Sequence, residues 1–481
     1  MSPLQLSVYL RVSLAFFFNS FLFFLDIFTA ATCRRYRNAE KRNQSAISEM
    51  SEAADDWRTG DHKADSACMC SDLLSYGLLI FMFGGLIGSL VGGALSDYFG
   101  RCPLLLACLY VHALCALVPA FLAQPIIFLC VRCLTGVCCC CINISGFSLA
   151  VEWTLPSFRP WPMALLPFFF SVGMMAVASL AWLSSTWRFF HLSLALPQIL
   201  CLPLFLSTPE SPHWLKLKKR VDDLERYRSN SLKDKHCLDQ LLSSSTLQDS
   251  HSEEAPRNPA LSDINQLRHP TMLKRLLIMS FLSAASAFTY FGICMNIGSF
   301  GVGVYYAQFF SGLSEVPCLL VPLLRLGRRS FSSLALFLSG SACFLSLLLS
   351  RCDSDPVLVI SLALLGKLCI LVVILITTLY SIELFPTTVR QRCLSLVNLS
   401  FRLSCLVNTL FPLNSDGAVS LAAMLVYSGG PIIGCGLVQL LPETSEVSLP
   451  ESLEDCERQT GMKKSSGGQK PKQTCMIKNL N

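Results

Sequence analysis

"GGLIGSLVGGALSDYFGRCP", residues 84–103, ends one apolar run of the sequence and begins the next. Gly84, Gly88 and Gly92 recur at intervals of four residues, and small residues spaced in this way let helices approach closely in lipid. Asp97 and Arg101 follow in the short junction between the two runs. The stretch therefore predicts two membrane helices, the first closely packed against a neighbour, joined by a charged turn.

Apolar runs of this kind recur along the whole chain. Of its 481 residues, 52% are hydrophobic and 15% are charged, whereas soluble domains carry about a quarter charged residues. Each run has roughly 20 residues, enough to cross a hydrocarbon core of ~30 Å. The runs lie near 12–32, 73–95, 103–123, 125–149, 162–185, 189–207, 275–298, 300–324, 331–350, 356–380, 393–414 and 417–441. They predict an all-α polytopic membrane protein with twelve transmembrane helices.

Polar segments divide these runs into two sets of six. Residues 1–208 are predicted to form an N-terminal six-helix bundle with an external loop at 33–72. A central loop of short helices and linker is expected at 209–274, a C-terminal bundle at 275–441 and a tail at 442–481. The N-terminal run is long for a signal peptide and is interpreted as the first membrane helix.

The distribution of Lys and Arg predicts the orientation of the chain in the membrane. Basic residues gather after runs 2, 6, 8 and 10, and the side of the membrane that is richer in them is normally cytoplasmic. The central loop and both termini are therefore expected in the cytoplasm. The sequon at Asn43 fits an external loop and predicts a glycoprotein.

The chain has 24 cysteines, most of them inside apolar runs, including "CCCC" at 138–141. Adjacent residues of a helix point in different directions, so this run is a poor metal site, and the cysteines are interpreted as packing residues. No metal or other cofactor is expected. The motif GxxxxGK[ST] is absent, which argues against ATP as an energy source. No nucleophile or metal spacing suggests an enzyme, and no nucleic-acid partner is expected.

Several motifs together carry a family resemblance over residues 73–457. G-x-x-x-D-x-x-G-R at 93–101 resembles the signature loop of the major facilitator superfamily, and "LGRRS" after run 8 is its counterpart in the second half. "STPESPHWL" at 207–215, "SIELFPTTVRQ" at 381–391 and "LPETSEVSLPESLEDCE" at 441–457 add to it. In this order they resemble solute carrier family 22, the transporters of organic cations, anions and zwitterions.

The chain departs from the usual pattern of that family in two ways. Tyr98, Cys102 and Leu324 replace charged residues that are usual in the two signature loops, and the external loop is short. These departures suggest an atypical member, close to the branch that contains members 17, 23 and 31. The resemblance also implies a location in the plasma membrane.

The resemblance implies that charged residues near the cytoplasmic ends of the helices form a latch between the two bundles. The alternative is that these charges lie among lipid headgroups and serve only orientation. The candidate latch residues are Asp97, Arg101, Glu152, Arg159, Glu210, Arg328, Arg329, Glu383 and Arg390.

Four charged residues within the apolar runs are candidates for a functional role, because an unpartnered charge there is costly and normally faces a cavity or a partner. They are Arg132, Glu315, Lys367 and Arg402. Counted from Glu383, Arg402 falls where the resemblance implies an arginine in anion-preferring transporters and an aspartate in cation-preferring ones. Two hypotheses stay open for Arg402: it binds the charge of the substrate, or it pairs with Glu315.

The stretch "FTYFGICMNIGSFGVGVYY" at 288–306 resembles the aromatic part of the family's substrate cavity. Its Tyr290 and Phe291 join Glu315, Lys367 and Arg402 as predicted substrate-binding residues, with simple packing as the alternative for the aromatic pair. The predicted function is transport of amphipathic organic ions, with anions or zwitterions favoured, by alternating access. The expected partners are a small organic ion and membrane lipid. A non-transporting receptor or scaffold with the same fold is the alternative.

Overall fold

The computed structural model of the protein is helical throughout the residues that it describes. These are 2–29, 76–122, 124–155, 158, 160–184, 186–249, 269–296, 303–323, 327–352, 355–385, 390–410 and 421–444. The α-helices are α1 (Pro3–Phe23), α2 (Gly77–Phe99), α3 (Arg101–Phe121), α4 (Pro125–Glu152), α5 (Pro160–Leu183), α6 (Trp187–Phe205), α7 (Pro212–Leu217), α8 (Val221–Asn230), α9 (Leu232–Asp249), α10 (Pro270–Asn296), α11 (Val304–Leu313), α12 (Arg328–Arg351), α13 (Pro356–Leu384), α14 (Arg390–Thr409) and α15 (Leu421–Val438).

The lengths of the helices fit the predicted membrane crossings. In the described part of the chain, nine helices are long and apolar enough to span a bilayer. Two shorter apolar helices, Cys393–Thr409 and Leu425–Val438, lie at the last two predicted runs. The broken segment at 304–323 occupies the eighth. The predicted all-α membrane architecture is thus confirmed.

Two predicted runs differ from the observed helices. The first helix begins at Pro3 rather than near residue 12, because the Ser2 hydroxyl accepts a hydrogen bond from the Gln5 backbone N–H (3.1 Å) and caps the helix. The eighth run was predicted to be continuous, but α11 ends at Leu313 and a 3-10 helix follows from Val316 to Leu323. Pro317 cannot donate the backbone hydrogen bond that a continuous α-helix needs there.

The membrane helices pack as two bundles. In the N-terminal bundle (α1–α6), α4 packs against α2 and α3, α1 against α5, and α3 against α6. In the C-terminal bundle (α10–α15), α12 packs against α13 and α15, and α10 against α14. The bundles meet where α14 contacts α2 and where α5 contacts α11 and the 3-10 helix. Residues at these two seams can change contacts if the bundles move relative to each other.

The glycines of α2 allow its backbone to touch that of α4, as the sequence predicted. A Cβ atom on Gly84 would lie 2.1 Å from the carbonyl oxygen of Cys133. On the opposite side of the contact, a Cβ atom on Gly136 would lie 2.1 Å from the carbonyl oxygen of Phe81. Any side chain at these two positions must therefore push the helices apart.

Gly84→Ala is expected to destabilise the protein by about 1–3 kcal/mol, because overpacking a close contact forces the backbones to shift. Thermal unfolding in detergent, followed by size-exclusion chromatography, measures the change. Gly93→Ala on the same helix is the matched control, since no atom lies within 4 Å of its Cβ position. Equal unfolding temperatures for the two variants would contradict the expectation.

Three helices, α7–α9, lie within the segment predicted to be the central loop, and they cover one face of the N-terminal bundle. Leu238 and Leu241 of α9 are buried, and the Asp234 carboxylate accepts a hydrogen bond from the backbone N–H of Leu4 (3.2 Å). The membrane face that carries α7–α9 is called the loop face below. It holds the start of α1 and the turn between α2 and α3.

Candidate functional site

A buried ion pair lies next to the seam between the bundles. The Lys367 Nζ is 2.6 Å from the Glu315 Oε1, and both side chains are buried. The Tyr290 hydroxyl donates to the same oxygen (2.7 Å), and the Ser171 hydroxyl bonds to the other. Lys367 also donates to the carbonyl oxygen of Ser311 (3.2 Å). Both charges are therefore neutralised and hydrogen-bonded, which is what a low-dielectric site requires.

The position of the pair follows from the break in the eighth membrane segment. Glu315 lies between α11 and the 3-10 helix, while Lys367 lies in α13 of the same bundle. Ser171 belongs to α5 of the N-terminal bundle, so its hydrogen bond to Glu315 crosses the seam. The carboxylate thus contacts both bundles at once.

Arg402 differs from the other intramembrane charges, because within the described part of the chain no carboxylate lies within 4 Å of it. Its side chain is partly exposed. It lies near the thiols of Cys139 and Cys140 in α4 and of Cys405 in its own helix. The alternative that Arg402 pairs with Glu315 is wrong, because Glu315 pairs with Lys367. Arg402 thus faces α4 of the N-terminal bundle without an acidic partner among the described residues.

Aromatic rings connect Arg402 to the opposite bundle. The guanidinium carbon lies 5.7 Å from the ring centroid of Phe401, and that ring lies 6.1 Å from Phe291. Phe291 stacks on Phe23 of α1 at 5.7 Å and meets Tyr290 edge-on at 5.2 Å. The structure therefore brings the predicted residues Tyr290, Phe291 and Arg402 into one region, where a cation lies beside apolar rings. This combination suits an anion with an aromatic body.

The remaining intramembrane charge, Arg132, has a partner that the sequence analysis missed. Its guanidinium pairs with Asp26 and donates to the carbonyl oxygen of Leu22 (2.7 Å). Arg132 also lies over the ring of Phe81, 4.4 Å from the centroid. All these contacts stay inside the N-terminal bundle. Asp26 could have been found as an acid within the apolar run 12–32.

On the loop face, four of the predicted latch residues form one cluster. The Arg101 guanidinium lies 2.9 Å from the Asp97 Oδ1 and 3.3 Å from the Glu152 Oε1. The Glu210 carboxylate accepts the backbone N–H groups of Arg101 (3.1 Å) and Cys102 (3.2 Å). Burial raises the pKa of the Glu210 carboxyl, although these backbone bonds oppose the shift. The cluster joins the loop-face ends of α2, α3, α4 and α6.

The C-terminal bundle repeats part of this arrangement. The Glu443 carboxylate accepts the backbone N–H groups of Arg328 (2.7 Å) and Arg329 (3.1 Å) at the start of α12. Glu443 was missed as a site residue, although the sequence gives a signal for it: a Pro-Glu-Ser/Thr motif recurs after runs 6 and 12. In both halves this glutamate caps the helix that follows the signature loop.

The predicted latch residues whose side chains are described therefore lie in two clusters, and the contacts above join groups of the same bundle. Between Asp97, Arg101, Glu152 and Glu210 and the C-terminal bundle the described residues show no ion pair. Cys102 departs from the family pattern. Its thiol donates a hydrogen bond to the carbonyl oxygen of Thr208, with a sulfur–oxygen distance of 3.2 Å.

Some predicted positions lie beyond what the structure describes. Asn43 and Arg159 lie outside the described residues, as do the side chains of Glu383 and Arg390. Within the described ranges, no three His, Cys, Asp or Glu residues are grouped so that they could hold a metal ion.

Residues 70–409 match the family model of the Major Facilitator Superfamily. The chain is 30% identical to human (Homo sapiens) solute carrier family 22 member 13 over 387 residues, which cover 79% of this chain and 68% of the relative. It is also 30% identical to organic anion transporter 3 from Oryctolagus cuniculus, over 82% of this chain and 73% of the relative. The chain is likewise 30% identical to solute carrier family 22 member 3 from Mus musculus, over 82% of this chain and 71% of the relative.

The fold is similar to solved structures of a sugar transporter. The proton:xylose symporter XylE bound to 6-bromo-6-deoxy-D-glucose aligns with a TM-score of 0.65, over 94% of this chain and 99% of that chain. The inward open conformation of XylE from E. coli aligns with a TM-score of 0.61, over 93% of this chain and 99% of that chain. The sequence identities are 15% and 16%, so these matches support only the assignment of the fold.

Proposed function

The chain belongs to solute carrier family 22 of the major facilitator superfamily, and on that basis we propose that it carries amphipathic organic anions across the membrane by alternating access. The observation that carries this proposal is Arg402, a partly exposed cation without a carboxylate partner among the described residues, next to the rings of Phe401 and Phe291. A cation in a low-dielectric cavity attracts a carboxylate or sulfonate and repels an organic cation.

The pairing of Glu315 supports an anion over a zwitterion. An unpaired glutamate near Arg402 would cancel its field or bind the positive end of a zwitterion. Instead, Glu315 is neutralised by Lys367 at 2.6 Å and hydrogen-bonded by Tyr290. Among the described residues of this region, the charge without an acidic or basic partner is that of Arg402, so the substrate that complements it carries a net negative charge.

Alternating access requires contacts between the bundles that can form and break. The stacking of Phe23 on Phe291 and the bond from Ser171 to Glu315 both cross from one bundle to the other. The loop-face clusters act differently in this proposal: they hold the ends of several helices together, so that each bundle moves as one body. A latch between the bundles at Asp97 and Arg101 stays a prediction for another conformation.

The protein is an integral membrane protein, and we further propose that its loop face is cytoplasmic and that it resides in the plasma membrane. The charge distribution supports this orientation, because the loop face carries the basic residues that follow the membrane helices. The hydrogen bond between Leu4 and Asp234 holds the start of α1 at this face, which supports the proposal that both termini are cytoplasmic.

Uptake into proteoliposomes tests the proposed substrate class. The purified protein is expected to take up a radiolabelled aromatic carboxylate with saturable kinetics. An unlabelled aromatic sulfonate should compete, whereas a quaternary ammonium ion of similar size should not. Vesicles without protein give the background. Saturable binding of the anion without uptake would identify a receptor instead, and competition by the cation alone would refute the anion assignment.

A further inference from the structure

We propose that the basic segment after α7, Lys218 and Lys219, binds the phosphate headgroup of an anionic phospholipid in the leaflet on the loop face. This site lies apart from Arg402 and does not depend on which substrate is carried. The evidence is the placement of the two lysines at the end of a membrane helix, a strained backbone that fixes one of them, and an exposed apolar surface beside them.

The short helix α7 is fastened to the end of a membrane helix. Trp214 of α7 is 7% exposed, and its indole N–H donates to the carbonyl oxygen of Asp97 in the last turn of α2 (3.0 Å). Because α2 ends at Phe99, this bond holds α7 at the level where the membrane helix leaves the hydrocarbon. Charges that follow α7 therefore lie at the level of the lipid headgroups.

The backbone directly after α7 adopts a left-handed conformation at a lysine, which is strained for any residue other than glycine. Lys219 has φ = +56° and is the non-glycine residue with positive φ among the described residues. The turn has two backbone bonds, from the N–H of Lys219 to the carbonyl of Lys216 (3.1 Å) and from the N–H of Arg220 to that of Leu215 (3.0 Å). This helix ending normally has glycine at the left-handed position. A side chain kept there against its conformational preference suggests a role for that side chain.

The two lysines have a positive field that nearby acids do not cancel. The ammonium of Lys218 lies 5.9 Å from the ring centroids of both Tyr98 and Trp214. Within the described part of the chain, no carboxylate lies within 4 Å of the ammonium of Lys218 or Lys219. Two nearby acids are engaged elsewhere: Asp97, whose backbone bonds to Trp214, pairs with Arg101 (2.9 Å), and Asp223 pairs with Arg220 (2.7 Å).

The apolar surface next to the two lysines favours a lipid phosphate over a free phosphate ion. Tyr98 is 72% exposed and ends an exposed apolar stripe on α2 that includes Phe83, Ile87 and Leu90. An exposed apolar stripe on a membrane-spanning helix is suited to contact with acyl chains. A phospholipid can therefore lay its chains along α2 while its phosphate lies between the ammonium groups of Lys218 and Lys219. A free phosphate ion would use the lysines but gain nothing from the stripe.

Lys219→Gly separates lipid binding from folding. Glycine relieves the left-handed strain, so we expect the unfolding temperature in phosphatidylcholine micelles to stay equal or rise. Each cation near an anionic surface contributes about a fivefold factor in binding, so the affinity for dioctanoyl phosphatidylserine should fall about fivefold. Titration of the full-length protein in detergent, read by native mass spectrometry and by the lipid-dependent rise in unfolding temperature, measures both quantities.

Lys233→Gly is the control, since Lys233 is an exposed lysine of α9 away from the end of α2. It should leave the phosphatidylserine affinity unchanged. An equal loss of affinity in both variants would show a diffuse charge effect and overturn the proposal, as would an unchanged affinity in Lys219→Gly. Glycerophosphoserine and inorganic phosphate are tested alongside. If either stabilises the protein as much as the lipid does, the site binds free phosphate and the lipid assignment is wrong.

Discussion

Arg402→Asp is expected to abolish uptake of aromatic carboxylates and to admit quaternary ammonium ions in their place. Two unit charges 4 Å apart attract by about 4 kcal/mol at an effective dielectric constant of 20, and the substitution turns this attraction into repulsion. Loss of the attraction alone corresponds to about 1,000-fold, so we expect kcat/KM for the carboxylate to fall by at least about 1,000-fold. Initial rates of uptake into proteoliposomes, measured for both substrates, test the reversal.

The surroundings of Arg402 make this reversal specific. Since the carboxylate of Glu315 is already paired with Lys367, a new aspartate in α14 adds its charge without meeting a free lysine. The rings of Phe401 and Phe291 are unchanged and offer their faces to an organic cation as well as to an aromatic anion.

Two control variants test whether the effect depends on the charge at position 402. Arg402→Lys retains the charge and should keep most of the carboxylate uptake, although it loses bidentate contacts. Arg226→Asp makes the same change of charge on the exposed helix α8 and should leave uptake unaltered. Carboxylate uptake that survives Arg402→Asp at the level of the unaltered protein would refute the assignment of Arg402 to the substrate.

Glu315→Gln is expected to have the largest effect on stability. It leaves the Lys367 ammonium buried without its anion, and removal of one partner from a buried ion pair costs about 3–5 kcal/mol. Lys367→Met should cost a similar amount, because it leaves the Glu315 carboxylate with only the hydroxyls of Tyr290 and Ser171. Thermal unfolding in detergent measures both losses.

The double variant Glu315→Gln with Lys367→Met provides the decisive comparison. With both charges gone, no uncompensated ion remains in the membrane, so the unfolding temperature should recover most of the loss seen in either single variant. Losses that simply add would mean that the two side chains act independently. That outcome would contradict the ion pair as the source of stability.

Much of the fold follows from local properties of the chain. Length and hydropathy fix where a segment can cross a membrane, and the cap at Ser2 begins the first helix earlier than hydropathy alone suggests. The glycine spacing in α2 predicted a close helix contact, which Gly84 makes with Cys133 of α4. These features depend on neighbours in sequence, and a single sequence displays them.

The partners of the charges depend on something else. The sequence shows that Glu315, Lys367 and Arg402 are intramembrane charges, but it leaves open whether Glu315 pairs with Arg402. The structure pairs Glu315 with Lys367, because the break after α11 and the packing of α13 bring those two groups to 2.6 Å. Helix rotation and the end of a helix at Leu313 decide this contact, and neither can be read from spacing in the chain.

The sequence by itself thus determined that the chain crosses the membrane repeatedly and which charges it carries there, because burial in lipid acts on each segment separately. Only the tertiary structure decided which of those charges are paired, as Glu315 is with Lys367 and Arg132 is with Asp26. Pairing within a low-dielectric interior requires contact within a few ångströms between residues that are distant in sequence, and among the described residues that geometry brings no carboxylate within 4 Å of Arg402.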